Sequence, residues 1–403
     1  MIKISNFLLL SLVILVVFIP QLGMHGDLSP MFTGVGLIIF VIINSFLFIL
    51  NKNDIFNKKL IIQIPHIPKS FYFLFIALVI FSLFSYLTTE RLKGIIVYSA
   101  LILLFFTVRI HSTTIIDKDK FIINLILGAC ITGILIMILG LNKPFTLFRY
   151  QGYYVNSNSM GMFTANLIHM IVATLYIYKN SISRFKKFFF YSIFFISILF
   201  LLASNSRAAI LSVFIILLLV PIVELYKGVK FFKLKIKARS LKNFFLYLFI
   251  LCLFFIFIYS TGLIDNTLDK FASKQKAGDF SDGRFQGWII MIENWSWFGH
   301  KNLQDITDQK IIFGHNTWLS HLNYNGILAT FCFLGWIYFI FKWTWAQIKL
   351  QKNSRGTVIL LFTLAGYIIN ATFETATSTP GILMSVVLFA ILYRKDDIFL
   401  SKS

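Results

Sequence analysis

The sequence predicts an all-α polytopic membrane protein of about twelve transmembrane helices with one large extracytoplasmic loop, and three observations carry that prediction. The first is composition: 58% of residues are hydrophobic and 13% charged, with a mean hydropathy of +0.81, which is far outside the range of a water-exposed domain. The second is segmentation, because the apolar residues gather into runs of about 17–25, the length a helix needs to cross hydrocarbon. The third is pattern. The runs are continuously apolar and do not alternate, which selects helices over a barrel.

Taken in order, the first run covers 4–19 and follows a lone Lys3. It resembles a signal peptide, but it is long and no small-x-small cleavage site precedes Pro20-Gln21, so the expectation is a retained first helix. Further spans follow at 31–50, 71–87, 92–108, 121–141, 160–178, 188–203, 208–225 and 244–262. After the loop come 317–341, 357–373 and 380–393; the last two are short, and tilt or local thinning accommodates them. The chain thus divides into an N-terminal bundle of about nine helices over 1–262, the loop over 263–316 and the C-terminal helices over 317–403, together one integrated domain.

Charge sets the sidedness. With the N-terminus in the cytoplasm, most of the 37 Lys and Arg fall in inside loops, the densest stretch running from Lys227 to Lys242, as the positive-inside rule requires. Seven acids, Asp265, Asp269, Asp279, Asp282, Glu293, Asp305 and Asp308, fall in the long loop instead. The loop and the turns at 142–159 and 205–207 are therefore expected outside, with both termini inside. The net charge of +21 reads as topology and attraction to anionic inner-leaflet lipid, not as a nucleic-acid footprint. Cys130, Cys252 and Cys332 all lie in apolar runs and suggest neither disulfide nor metal framework.

Within the loop, Phe285, Trp288, Ile289, Ile292 and Trp295 recur at helical spacing. Ser281 or Asp282 is expected to cap that helix and Gly299 to end it. It lies either at the outer membrane surface, with its Trp residues among headgroups, or against the bundle.

Four polar patches share the outer face under this topology. They are Arg149 to Gly161, with Asn156 and Asn158 inside it; Ser204-Asn205-Ser206-Arg207-Ala208; Gly283-Arg284 with Trp288 following; and His315-Asn316, followed by nine residues and then Gly326. The set resembles the O-antigen ligase and polymerase superfamily, bacterial membrane enzymes that handle glycans carried on a polyprenyl diphosphate. An Asn-x-Asn segment opening a helix, a Ser-Arg-Ala turn, a Gly-Arg before Trp in the large outer loop and a His-Asn before a Gly are its marks. Ala329 stands where the ligase pattern often has Gly, Thr or Tyr.

The resemblance implies a GT-C-like membrane glycosyltransferase of the bacterial inner membrane, metal-independent and without cofactor, acting at the periplasmic face. The donor would be an undecaprenyl-diphosphate-linked glycan. The acceptor would be a lipid A core sugar for a ligase, or a lipid-linked repeat unit for a polymerase. Chemistry agrees on roles: guanidinium forks hold a diphosphate bidentately without losing charge, which suits Arg207 and Arg284. A diphosphate so neutralised leaves readily, so the remaining need is a base for the acceptor hydroxyl, which His315 supplies. Arg149, Asn156, Asn158, Asn316 and Trp288 are the substrate-contact candidates.

Plainer roles exist for each. Arg207 can snorkel at a helix end, Arg284 can pair with Asp279 or Asp282, and His315 can cap the following helix. Arg149 can be an interfacial charge, and Asn156 and Asn158 can be caps. His300, in an echoing Phe-Gly-His, is the competing imidazole. Asp117-Lys118-Asp119 formally reads as a metal-binding Asp-x-Asp, yet it lies in a basic inside loop without a nucleotide-holding domain. The reading from another class is a lipid-linked sugar flippase or transporter, which would place ionisable residues midspan.

Overall fold

The computed structural model describes residues 69–89, 118–142, 150–152, 157–178, 180–228, 284–301 and 316–349, with isolated positions in 245–260 and 365–372. These residues are mostly helical and contain no strand. The helices are α1 (Lys69–Thr89), α2 (Lys118–Leu139, continued by a 3-10 turn at Gly140–Asn142), α3 (Ser157–Ile177), α4 (Arg184–Ser204), α5 (Arg207–Gly228), α6 (Arg284–Glu293) and α7 (Thr317–Lys349). Among the described residues one helix, Arg184–Ser204, is by itself long and apolar enough to cross a bilayer. The expected spans at 4–19, 31–50, 92–108 and 380–393 lie outside the described residues, as do nearly all of 244–262 and 357–373.

The core is built around α3. It packs against α2, α4 and α5, and every residue from 160 to 174 is buried. Its buried residues include Thr164, Asn166, His169 and Thr174 as well as apolar side chains. Ala165, Ile168, Val172 and Ala173 of α3 meet Leu201 of α4 and Ala209, Val213 and Ile216 of α5. The alanines let the helices approach closely. By contrast α4 turns Phe185, Phe188, Phe195 and Leu199 outward, and α1 does the same with Phe73, Ile76, Ile80 and Leu87.

Local chemistry sets the α4–α5 hairpin. Ser183 caps α4 with extended backbone, its hydroxyl accepting from the Lys186 N–H, and Asn205 closes it in the left-handed region at φ 50°. Asn tolerates that conformation better than any other non-glycine residue, so a two-residue corner, Asn205-Ser206, turns the chain back into α5. A second assembly joins α1 along α7, with α6 docked on α7.

Two expectations change here. The run 317–341 is not one uninterrupted helix: Gly326 adopts φ 83°, ψ 171°, and breaks α7. Gly299 does not end the loop helix either. That helix stops at Glu293, where Asn294 donates from both its backbone and side-chain nitrogens to the Ile290 carbonyl, at 3.0 and 2.9 Å. A side chain that satisfies the last carbonyl ends a helix as well as a glycine does.

Candidate functional site

The first cluster gathers where α3 and α5 begin. Tyr150 is fully buried against Phe200, its N–H donating to the Ala203 carbonyl (2.8 Å) and its hydroxyl to the Met137 carbonyl (3.0 Å). That pins the segment leading into α3 over the ends of α4 and α2. One turn into α3, Gly161 faces the hairpin so closely that a Cβ there would overlap the Ser206 Cβ and come within 2.7 Å of the Ser204 Oγ. The Ser204 hydroxyl donates to Leu201 and accepts from the Ser206 N–H, which fixes the corner. The Ser206 hydroxyl is buried with no hydrogen-bond partner among the described residues.

Arg207 is the first residue of α5 and is half-buried; Asn158 lies in the first turn of α3, also half-buried. Two of the four polar patches therefore adjoin. Both α3 and α5 begin here, each with the positive end of its helix dipole.

The second cluster lies at the break in α7. In an uninterrupted helix the Ile327 N–H would bond to the Asn323 carbonyl. Instead it donates to the Ser296 carbonyl (2.9 Å), and the Asn323 carbonyl accepts from the His300 N–H (2.7 Å). The freed Tyr324 carbonyl accepts from the Ser85 hydroxyl of α1 at 3.0 Å. Every backbone group named here finds a partner, the condition for breaking a helix away from water. Across the break, the Thr330 hydroxyl bonds both the Gly326 carbonyl (2.8 Å) and His321 Nδ1 (3.1 Å), while the His321 ring stacks on Phe333.

α6 joins this cluster from outside. Asn323 Nδ2 donates to the Met291 carbonyl at 2.9 Å, and Met291 and Gly287 are the buried side of α6. Of the apolar residues expected on one face, Phe285, Ile289, Ile292 and Trp295 stay exposed while Trp288 is half-buried. Trp288 Nε1 is buried without a hydrogen-bond partner among the described residues. The helix thus packs on the bundle by one side and presents an aromatic side outward.

Arg284 is the first residue of α6, and Asn316 caps α7 with its Oδ1 accepting the Leu319 N–H at 3.0 Å. That commits one Asn316 oxygen to structure and leaves its amide N–H groups for other partners. His315, Arg149 and Asn156 lie outside the described residues. His300 is held as a strut, its Nε2 2.7 Å from the Asn294 carbonyl.

The described positions near 366–372 touch both assemblies. Trp318 Nε1 donates to Thr372 Oγ1 (3.0 Å), and Gly366 packs against His169 of α3 and Ile216 of α5. Among the described residues no three His, Cys, Asp or Glu side chains gather as metal ligands.

Sequence reasoning passed over Asn323, gave Tyr150 no role of its own, and read Gly299 only as a helix end, although all three hold these clusters together. A Tyr or Asn beside an apolar run carries no signal of such contacts, and a lone glycine after a helical pattern reads as a cap. No protein-family model matches the chain, and no curated protein sequence matches it significantly.

Proposed function

We propose that this chain is a multi-pass glycosyltransferase of the bacterial inner membrane that moves a glycan from undecaprenyl diphosphate to a sugar hydroxyl at the periplasmic face. One observation carries the reading: Gly161 seats the Asn158-bearing helix start directly on the Arg207-bearing corner, so two separate sequence patches form one surface. Docking of α6, which begins with Arg284, on α7, which Asn316 caps, supports it further. The outward apolar residues of α1 and α4 suit hydrocarbon, in keeping with a polytopic membrane protein of about twelve spans.

In this reading Arg207 and Arg284 grip the diphosphate. His315 accepts the proton of the acceptor hydroxyl as its oxygen attacks the anomeric carbon. The carbon–oxygen bond to the diphosphate breaks, the diphosphate departs with the electron pair, and a single displacement inverts the configuration. Charge developing on the leaving group is stabilised by the guanidiniums and by the N-terminal amides of α3 and α5. The acceptor is a lipid A core sugar, the ligase form. The polymerase form, joining lipid-linked repeat units in surface polysaccharide, uses the same chemistry.

Deletion of the gene, read by surface polysaccharide on a gel, tests the proposal. Loss of a ligase leaves bare core with accumulated lipid-linked polymer; loss of a polymerase leaves core bearing a single repeat. An unchanged banding pattern refutes both, and with them the choice over a flippase is reopened. Product of retained anomeric configuration from purified protein overturns the single displacement.

A further inference from the structure

We infer that Gly299 and Gly326 form a backbone clamp that fixes α6 against the outer segment of α7, which makes them positioning residues of the transfer site. The inference rests on the proposed transferase reading for its functional consequence, while the clamp itself rests on geometry alone.

Both glycines have positive φ, at 93° and 83°. Gly326, with ψ 171°, occupies a region open essentially only to glycine. A Cβ on Gly326 would overlap the Trp297 carbonyl, and one on Gly299 would overlap the Tyr324 carbonyl, so each glycine admits the other segment's backbone. The crossing is then sewn by Ile327 N–H to Ser296 O, His300 N–H to Asn323 O and Asn323 Nδ2 to Met291 O. The Ser296 hydroxyl adds a local brace, accepting from the N–H groups of Phe298 and Gly299.

The lever is short and steep. From the break to Thr317, α7 runs nine residues, roughly 13 Å at about 1.5 Å per residue, so a change of about 10° at Gly326 moves its outer end by about 2 Å. His315 and Asn316 adjoin that end, and Arg284 begins the helix on the other side of the clamp. Misplacement of reacting groups by about 1 Å costs on the order of 10²-fold in rate. A helix without the break would have no place for residues 294–300.

The test compares Gly326→Ala and Gly299→Ala with Gly335→Ala, the last a glycine of α7 whose added Cβ meets only the tip of Leu74. Gly299→Ala leaves α7 itself unaltered, so it carries the prediction where Gly326→Ala fails to insert. Transfer is followed with lipid-linked glycan extracted from the deletion host, in full-length protein in nanodiscs. Spin labels at Ile292→Cys and Leu334→Cys, both exposed, report the α6–α7 distance in a Cys252→Ser background.

The expected result is a broadened distance distribution and a fall in kcat of tenfold or more, with KM for the donor within about threefold, for the clamp variants only. An unchanged distance distribution overturns the clamp. A broadened one with unchanged kcat overturns the positioning role. If Arg207→Ala and Arg284→Ala also transfer normally, the transferase reading is what has failed, not the clamp.

Discussion

Gly161→Ala isolates what the meeting of α3 with the α4–α5 corner contributes. The new methyl would overlap the Ser206 Cβ and stand 2.7 Å from the Ser204 Oγ, where ordinary carbon contacts need about 3.5–4.0 Å, so the corner must retreat by on the order of 1 Å. Two stability effects oppose each other. Overpacking costs about 1–3 kcal/mol, while replacing a mid-helix glycine returns up to about 1 kcal/mol of helix propensity. Net loss is therefore small, on the order of 1–2 kcal/mol. Nothing offsets the displacement of Arg207, so transfer should fall by about 10-fold to 100-fold while the protein still inserts and purifies. Thermal melting of detergent-purified protein, alongside turnover of the lipid-linked donor, separates the two effects. Full turnover in a variant that melts a few degrees lower would show that the seat is packing and nothing more.

The remaining predictions concern imidazoles, one hydroxyl and metals. His315→Ala should lower transfer by about 10²–10⁴, the usual worth of a general base. His300→Ala should keep transfer within about threefold, because the backbone bond from His300 to Asn323 survives; the reverse ranking would exchange their roles. Tyr150→Phe removes the hydroxyl bond to Met137 and should cost about 0.5–1.5 kcal/mol, seen as a lower melting temperature without a change in donor KM. Transfer should proceed undiminished in excess EDTA; a loss restored by a divalent cation would defeat the metal-independent scheme.

Helical class was legible because it needs only the length and continuity of apolar runs, and the helix starts near 160, 208 and 317 follow from those runs. The corner at 204–207 was legible too, since Ser-Asn-Ser-Arg between two apolar runs leaves the chain no other place to turn. The break in α7 was not. Gly326 falls where polar His321, Asn323 and Asn325 give way to an apolar run, and hydropathy averaged over the whole span responds to side chains, not to the backbone partner waiting at Ser296. Gly299 misled for a related reason: a glycine after a helical pattern reads as a cap, yet this one serves a contact with α7 while Asn294 does the capping. The candidate residues were chosen by chemistry and sidedness. Tertiary contact then showed which patches adjoin, information that single-residue patterns do not hold.

If the chain spans a bilayer as proposed, α3, buried from 160 to 174, has little annular lipid of its own. In a bilayer that thickens or thins, α1 and α4, with their outward Phe and Leu residues, would tilt to follow, at fractions of a kcal/mol per ångström of mismatch. That strain would reach α3 only second-hand, through α2, α4 and α5 packed on it. In that proposed setting Asn158 and Gly161 ride on a column shielded by its neighbours, so the geometry at its N-terminal tip should be indifferent to acyl-chain length across a broad range.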